Sequence, residues 1–280
     1  VSQGYEPKGE YKTIAGLKIV SYSEYIFRRG SIAEIEIRRY RSCGCYQGPP
    51  GGIWYASRLT FFPGLSFRIA NSGCFFIDIF GFFPQTLQGS DILSTSDADN
   101  KYRVFIPDFF EGEPCDISVV PPKTDEQKQY LSNFLSTKAA PAKAVSRIPA
   151  IVEEANKLSP SGSFQWGILG YCWGAKVASL TCGEDSQKTF KAAAQVHPSF
   201  MDPEEAKKVG VPMALLPSKD EDPATIQAYA DNLTVPKLVE TYSDMVHGWM
   251  AARANLEDPE VRKQYQRGYQ TLLGFFRAHL

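Results

Sequence analysis

Strong net charge is missing from this sequence. Its 30 lysines and arginines face 31 aspartates and glutamates, leaving −1 at neutral pH, which gives no global electrostatic case for nucleic acid or an anionic membrane as a partner. Long apolar runs are missing too: none approaches the roughly 20 residues that cross a bilayer. No basic stretch leading into a short apolar one opens the chain, as a secretory signal would. Cysteine is sparse, six in 280 residues, too few for a disulfide scaffold, and a reducing, cytoplasmic setting is expected. Cys43 and Cys45 have the spacing of half a zinc site, but no second Cys or His pair lies near them, so no metal is expected. Histidine is scarcer still, with three copies. Any chemistry that needs an imidazole must draw on His197, His247 or His279, and His279 lies one residue from the end of the sequence.

What is present is a rhythm. Apolar strand-like runs at 74–80 (CFFIDIF), 102–110 (YRVFIPDFF), 164–170, 190–196, 211–216 and 236–242 alternate with helical patterns. Those patterns fall in TLQGSDIL, at 124–136, at 142–158 with an expected break at Pro149, from Ala175 onward, in a short acidic helix after Pro203, at 224–233 and at 259–279. Strands alternating with helices predict an α/β protein with a largely parallel sheet covered on both faces. Residues 1–19 are compatible with an edge strand. Residues 20–72 show no sustained period, although Thr60–Phe62 and Leu65–Ile69 have the composition of short strands. This atypical segment reads as a lineage-specific insertion or as translated non-coding sequence, inside a single domain spanning 1–280.

The chain is organised around FQWGILGYCWGAKVASL, residues 164–180. An apolar strand leads to Gly170, a thiol stands at Cys172, Gly174 follows, and a helix-forming run begins. This is the G-x-S-x-G nucleophile elbow with cysteine in place of serine. Small residues two positions either side of the nucleophile let strand and helix approach, and the helix N-terminus favours thiolate. A cysteine nucleophile needs a base, and the base needs an acid to hold its tautomer. His247 lies after the last strand, in the loop where catalytic groups gather in open parallel sheets. His197, at the end of another strand, is a structural candidate near the site. The acid is expected in PSKDEDP after the strand at 211–216. Asp220 is the first choice and Asp222 the reserve, with Glu221 pointing elsewhere if the loop is extended. Backbone N–H groups of Trp173 and of Ile79, in the loop after the strand at 74–80, are the expected oxyanion donors. Asp78 ends that strand, either as a bystander or as a partner of the thiol. Phe80 and Trp249 are among the aromatics expected to border a pocket for a flat acyl or lactone ring.

GYCWGAK, DIFGFFPQTLQGSDIL, IPDFFEG, LPSKDE and HGW together resemble the dienelactone hydrolase family of α/β-hydrolases, over roughly residues 74–280, with an echo in GYEPKGEYKTIAGLK typical of fungal-type members. The resemblance implies an α/β-hydrolase fold, a Cys172–Asp220–His247 triad, no cofactor, and cleavage of a small lactone or carboxylic ester through an acyl-cysteine. It also implies Asp78 at the place of a family glutamate that contacts the nucleophile. Arg253 is the nearest counterpart of an arginine that binds the substrate carboxylate. The expected partner is a small-molecule ester or lactone, the expected assembly a monomer or homodimer. The alternative is a ligand-binding protein of the same fold with little or no turnover.

Overall fold

The computed structural model describes residues 6–22, 72–97, 102–159, 161–183 and 189–280. Cys43, Cys45 and most of the atypical segment, including the strands expected at 60–62 and 65–69, lie outside the described residues. Eight strands form one sheet: β1 Glu10–Ile14, β2 Leu17–Tyr22, β3 Ser72–Ile77, β4 Tyr102–Pro107, β5 Gln165–Tyr171, β6 Phe190–Val196, β7 Met213–Leu216 and β8 Lys237–Val239. Their order is β1-β2-β4-β3-β5-β6-β7-β8. β2 runs antiparallel to β1 and β4, and the remaining neighbours are parallel. The expected edge strand is thus a hairpin. Its two-residue turn, Ala15-Gly16, takes positive φ at both positions (50° and 76°), which matches the twist of the paired strands.

Seven helices connect the described strands: α1 Pro84–Thr95, α2 Asp125–Thr137, α3 Pro141–Asn156, α4 Trp173–Thr181, α5 Pro203–Ala206, α6 Pro223–Asn232 and α7 Pro259–His279. Helix starts follow the local chemistry. Thr124 and Gln127 close a capping box at α2, and Asp222 and Asp258 cap α6 and α7 with proline next in sequence, the favoured first helical residue. α3 runs through Pro149 without the expected break. Its buried stripe of Ile148, Ile151, Val152 and Ala155 holds it against the sheet strongly enough to outweigh the lost backbone bond.

Successive strand residues point to opposite faces, and the core divides accordingly. Phe105, Ile168, Ala193 and Leu215 pack with residues of α2, α3, α4 and α6. Val104, Leu169, Ala194 and Leu216 pack with α1 and α7. The sheet is therefore covered on both sides, and the carboxyl ends of β3, β5, β6 and β7 open toward one edge where the candidate site residues lie. This is the α/β-hydrolase architecture.

Candidate active site

β5 ends at Tyr171, and α4 begins at Trp173. Between them Cys172 adopts φ 52°, ψ −116°, a conformation L-residues avoid unless the surroundings impose it. The glycine before it is obligatory: a Cβ on Gly170 would lie 2.0 Å from the Gly174 carbonyl oxygen and 2.5 Å from the Ala175 nitrogen. Backbone bonds fix the turn. The Cys172 N–H donates to the Val196 carbonyl (3.2 Å), and the Cys172 carbonyl accepts from Ala175 (3.1 Å) and Ser199 (3.1 Å). The sulfur is partly exposed, whereas Cys74, Cys115 and Cys182 are buried. Burial pushes the thiols of Cys74 and Cys182 well up and that of Cys115 to about 11, so these three are poor nucleophiles.

Two loops bring the imidazole to the elbow. The segment after β7 and the segment before α7 are laced by Tyr242 N–H to Pro217 O (2.8 Å) and Lys219 N–H to Met245 O (3.0 Å). On one side His247 stands close enough to Cys172 for the thiol to act on its proton affinity. On the other, its Nδ1 lies 2.7 Å from Glu221 Oε1. The Glu221 carboxyl, 7% exposed in its side chain, is steadied by the Ser218 N–H at Oε2. Burial by itself would lower the His247 pKa, but the hydrogen bonds and charges of Cys172 and Glu221 outweigh it and raise the value to about 10. His247 thus carries its proton readily.

The carboxylate bonded to the ring is therefore Glu221 and not the expected Asp220. Asp220 is exposed, and its Oδ2 accepts from the backbone N–H of His247 at 2.7 Å. It holds the loop, not the ring. Asp222 caps α6 through the amides of Ala224 and Thr225. The turn is not extended: the Asp220 N–H folds onto Ser218 Oγ (3.2 Å), which swings Glu221 inward. One sequence signal pointed this way. Asp followed by Pro is a helix N-cap and first-residue signature, which assigns Asp222 to capping and leaves Glu221 as a candidate.

The other expected site residues lie around this centre in varied surroundings. Trp173, first residue of α4, presents an N–H with no acceptor inside the helix, as an oxyanion donor requires. Its indole is core, donating to the Ala139 carbonyl (2.6 Å). Asp78 is buried, and burial raises its pKa to about 6 against the opposing hydrogen bonds from the Phe80 and Ile79 amides. The Phe80 N–H lies 3.4 Å from Oδ1. Phe80 packs in the core with Phe109 and Phe110. Trp249 is 1% exposed and stacks on Tyr242 with ring centroids 4.3 Å apart, against Gly268 of α7. Arg253 packs under Gly248 and donates from Nη1 to the His247 carbonyl (2.7 Å), so it secures the histidine loop.

Two residues of the segment after β6 join the site. His197 is buried, with its ring 4.9 Å from that of His247 in edge-to-face contact. Burial and the neighbouring His247 charge hold its pKa well below the usual value. Ser199 Oγ lies 3.4 Å from Cys172 Sγ. Among the described residues no His/Cys/Asp/Glu cluster is arranged to hold a metal ion, and no helix is long and apolar enough to cross a membrane.

The sequence profile of the dienelactone hydrolase family matches residues 76–280. An uncharacterized AIM2 family protein of Schizosaccharomyces pombe is 39% identical over 208 residues, covering 72% of this chain and 80% of that protein. A hydrolase of Aspergillus violaceofuscus, pyvD, is 26% identical over 221 residues, covering 75% of this chain and 82% of its own length. Among solved structures, a dienelactone hydrolase from Anabaena variabilis superposes with a TM-score of 0.58 at 13% identity, covering 99% of this chain and all of that one. This last similarity is one of fold.

Proposed function

This chain belongs to the dienelactone hydrolase family, and from that premise we propose that it hydrolyses a small carboxylic ester or lactone through an acyl-cysteine, with Cys172, His247 and Glu221 as its working groups. The observation that carries the reading is the His247 ring, held at Nδ1 by the Glu221 carboxylate at 2.7 Å beside the Cys172 thiol at the elbow. In acylation Sγ attacks the ester carbonyl, and the oxyanion turns toward the Trp173 N–H. The carbon–oxygen bond breaks as His247 gives its proton to the departing alkoxide. In deacylation His247 takes a proton from water, whose oxygen adds to the thioester carbonyl. The carbon–sulfur bond then breaks, and the electron pair returns to Sγ. Glu221 keeps the Nδ1 proton in place throughout, leaving the opposite ring nitrogen to face the sulfur.

A thiolate leaving group suits activated esters and strained lactones better than amides, whose nitrogen needs stronger acid assistance. With Arg253 committed to the His247 carbonyl, the reading does not require a carboxylate on the substrate. The test is intact-mass analysis after mixing with p-nitrophenyl acetate. Wild type should carry one acetyl group, mapped to Cys172, and release nitrophenolate repeatedly. Cys172→Ala should do neither. Turnover that survives Cys172→Ala would remove the acyl-cysteine from the mechanism, and stoichiometric ligand retention without turnover would make the protein a binder.

A further inference from the structure

His197-Pro198-Ser199 leaves β6 and lies across the elbow. Two observations single out this short segment. Its backbone is strained on both sides of the serine: His197 has φ 37° and Phe200 φ 56°, neither a glycine. Such conformations cost on the order of 1–3 kcal/mol each and persist where the structure over-determines them, characteristically at functional sites. The strain delivers Ser199 to the nucleophile. Its N–H meets the Cys172 carbonyl at 3.1 Å, and its hydroxyl meets Sγ at 3.4 Å, the one hydrogen bond that hydroxyl makes among the described residues.

The backbone contact would hold the turn with any residue at 199, so the hydroxyl needs its own explanation. We propose that Ser199 is a further catalytic residue, a second hydrogen-bond donor to the Cys172 sulfur that stabilises negative charge there independently of His247. The groups around that sulfur are few. His247 reaches it from the loop before α7, and α4 presents its N-terminus at Trp173. Cys115, after β4, feels the charge of Cys172, and Asp78, after β3, feels that of His247. Cys115, pushed up to about 11, is a neutral thiol. Among the described residues the donors that face the Cys172 sulfur are His247, the α4 amide and Ser199. A donor at this place has two uses. It favours the attacking thiolate, and it meets the electron pair that returns to Sγ when the carbon–sulfur bond of the acyl-enzyme breaks. The assignment deepens the ester-hydrolysis reading and rests on Cys172 as its nucleophile.

Alkylation by iodoacetamide tests it without needing turnover. In that reaction Sγ forms a bond to the methylene carbon, and iodide leaves with the electron pair of the broken bond. Rates of Cys172 alkylation would be measured by peptide mapping at pH 5.5 and pH 8.5 for wild type, Ser199→Ala and Ser199→Thr, with thermal melts to confirm folding. Loss of a hydrogen bond to a charged group corresponds to about tenfold or more, so the pH 5.5 to pH 8.5 rate ratio should fall about tenfold in Ser199→Ala. Threonine, which keeps the hydroxyl, should restore it to within about threefold of wild type. An unchanged ratio in Ser199→Ala, or an equal fall in both variants, would overturn the assignment. Failure of ester turnover with the alkylation result intact would count against the hydrolase reading alone.

Discussion

Replacing Glu221 by Gln should separate the acid that holds the imidazole from the one that holds its loop. In the structure Glu221 Oε1 lies 2.7 Å from His247 Nδ1, inside a largely covered pair. Gln keeps the volume and an oxygen but loses the charge. A charge-assisted hydrogen bond of this kind contributes about 1.5–3 kcal/mol, or about 10–100-fold in rate. Loss of tautomer control adds to this, and removal of a triad carboxylate elsewhere costs about 10⁴. The expected fall in kcat/KM on p-nitrophenyl acetate is therefore about 10²–10⁴. Asp220→Asn keeps an acceptor for the His247 N–H and should cost less than about tenfold. Stability offers a second readout. The His247 pKa is raised from an ordinary 6.5 to about 10, so its contribution is full below about pH 6.5 and is lost as pH rises through about 10. Urea midpoints of wild type and Glu221→Gln should accordingly differ near pH 7 and converge toward pH 10. If Asp220→Asn is the crippled variant and Glu221→Gln is nearly normal, the assignment of the ring acid is wrong.

Two further outcomes follow from the geometry. Gly170→Ala puts a methyl group 2.0 Å from the Gly174 carbonyl and should destabilise the fold by about 3 kcal/mol or more, as severe overpacking does; in denaturant titrations Gly274→Ala, with open space around it in α7, should be neutral or stabilising by up to about 1 kcal/mol, and equal effects would refute the steric account. Asp78, with its pKa raised by burial to about 6, gives a contribution that is present below about pH 4 and lost as pH rises through 6. Asp78→Asn should thus gain about 2–3 kcal/mol on wild type between pH 4 and pH 8, and parallel urea stabilities at the two pH values would contradict the buried-carboxylate assignment.

Much of this arrangement is visible in the linear chain because it rests on patterns with a single physical solution. An apolar run, Gly170, a thiol, Gly174 and a helix former admit few folds other than a strand–turn–helix elbow, and the bounds of β6 and α7 agree with the periodicity. The acid was not legible in the same way. Asp220, Glu221 and Asp222 are adjacent, and which one turns inward depends on a turn closed by Ser218 and on cross-loop bonds to residues more than 20 positions away. The burial of Trp249 and Phe80 was not legible either, because neighbours in sequence share a segment without sharing a face. Ser199 carried no signal at all, since its role arises from the approach of β6 to β5 in space.

The strained backbone around the sulfur also bears on how this protein responds to selection. Cys172, His197 and Phe200 all hold positive φ without being glycine, and the left-handed region costs such residues about 1–2 kcal/mol apiece. A library screened only for heat resistance would find relief there early, with Phe200→Gly the simplest gain because that side chain is 54% exposed and releases no core contact. Each such gain loosens the segment that positions Ser199 against the elbow. Thermal hardening of this fold therefore has a built-in direction of functional loss, and only a screen that also scores turnover would keep it away from these three positions.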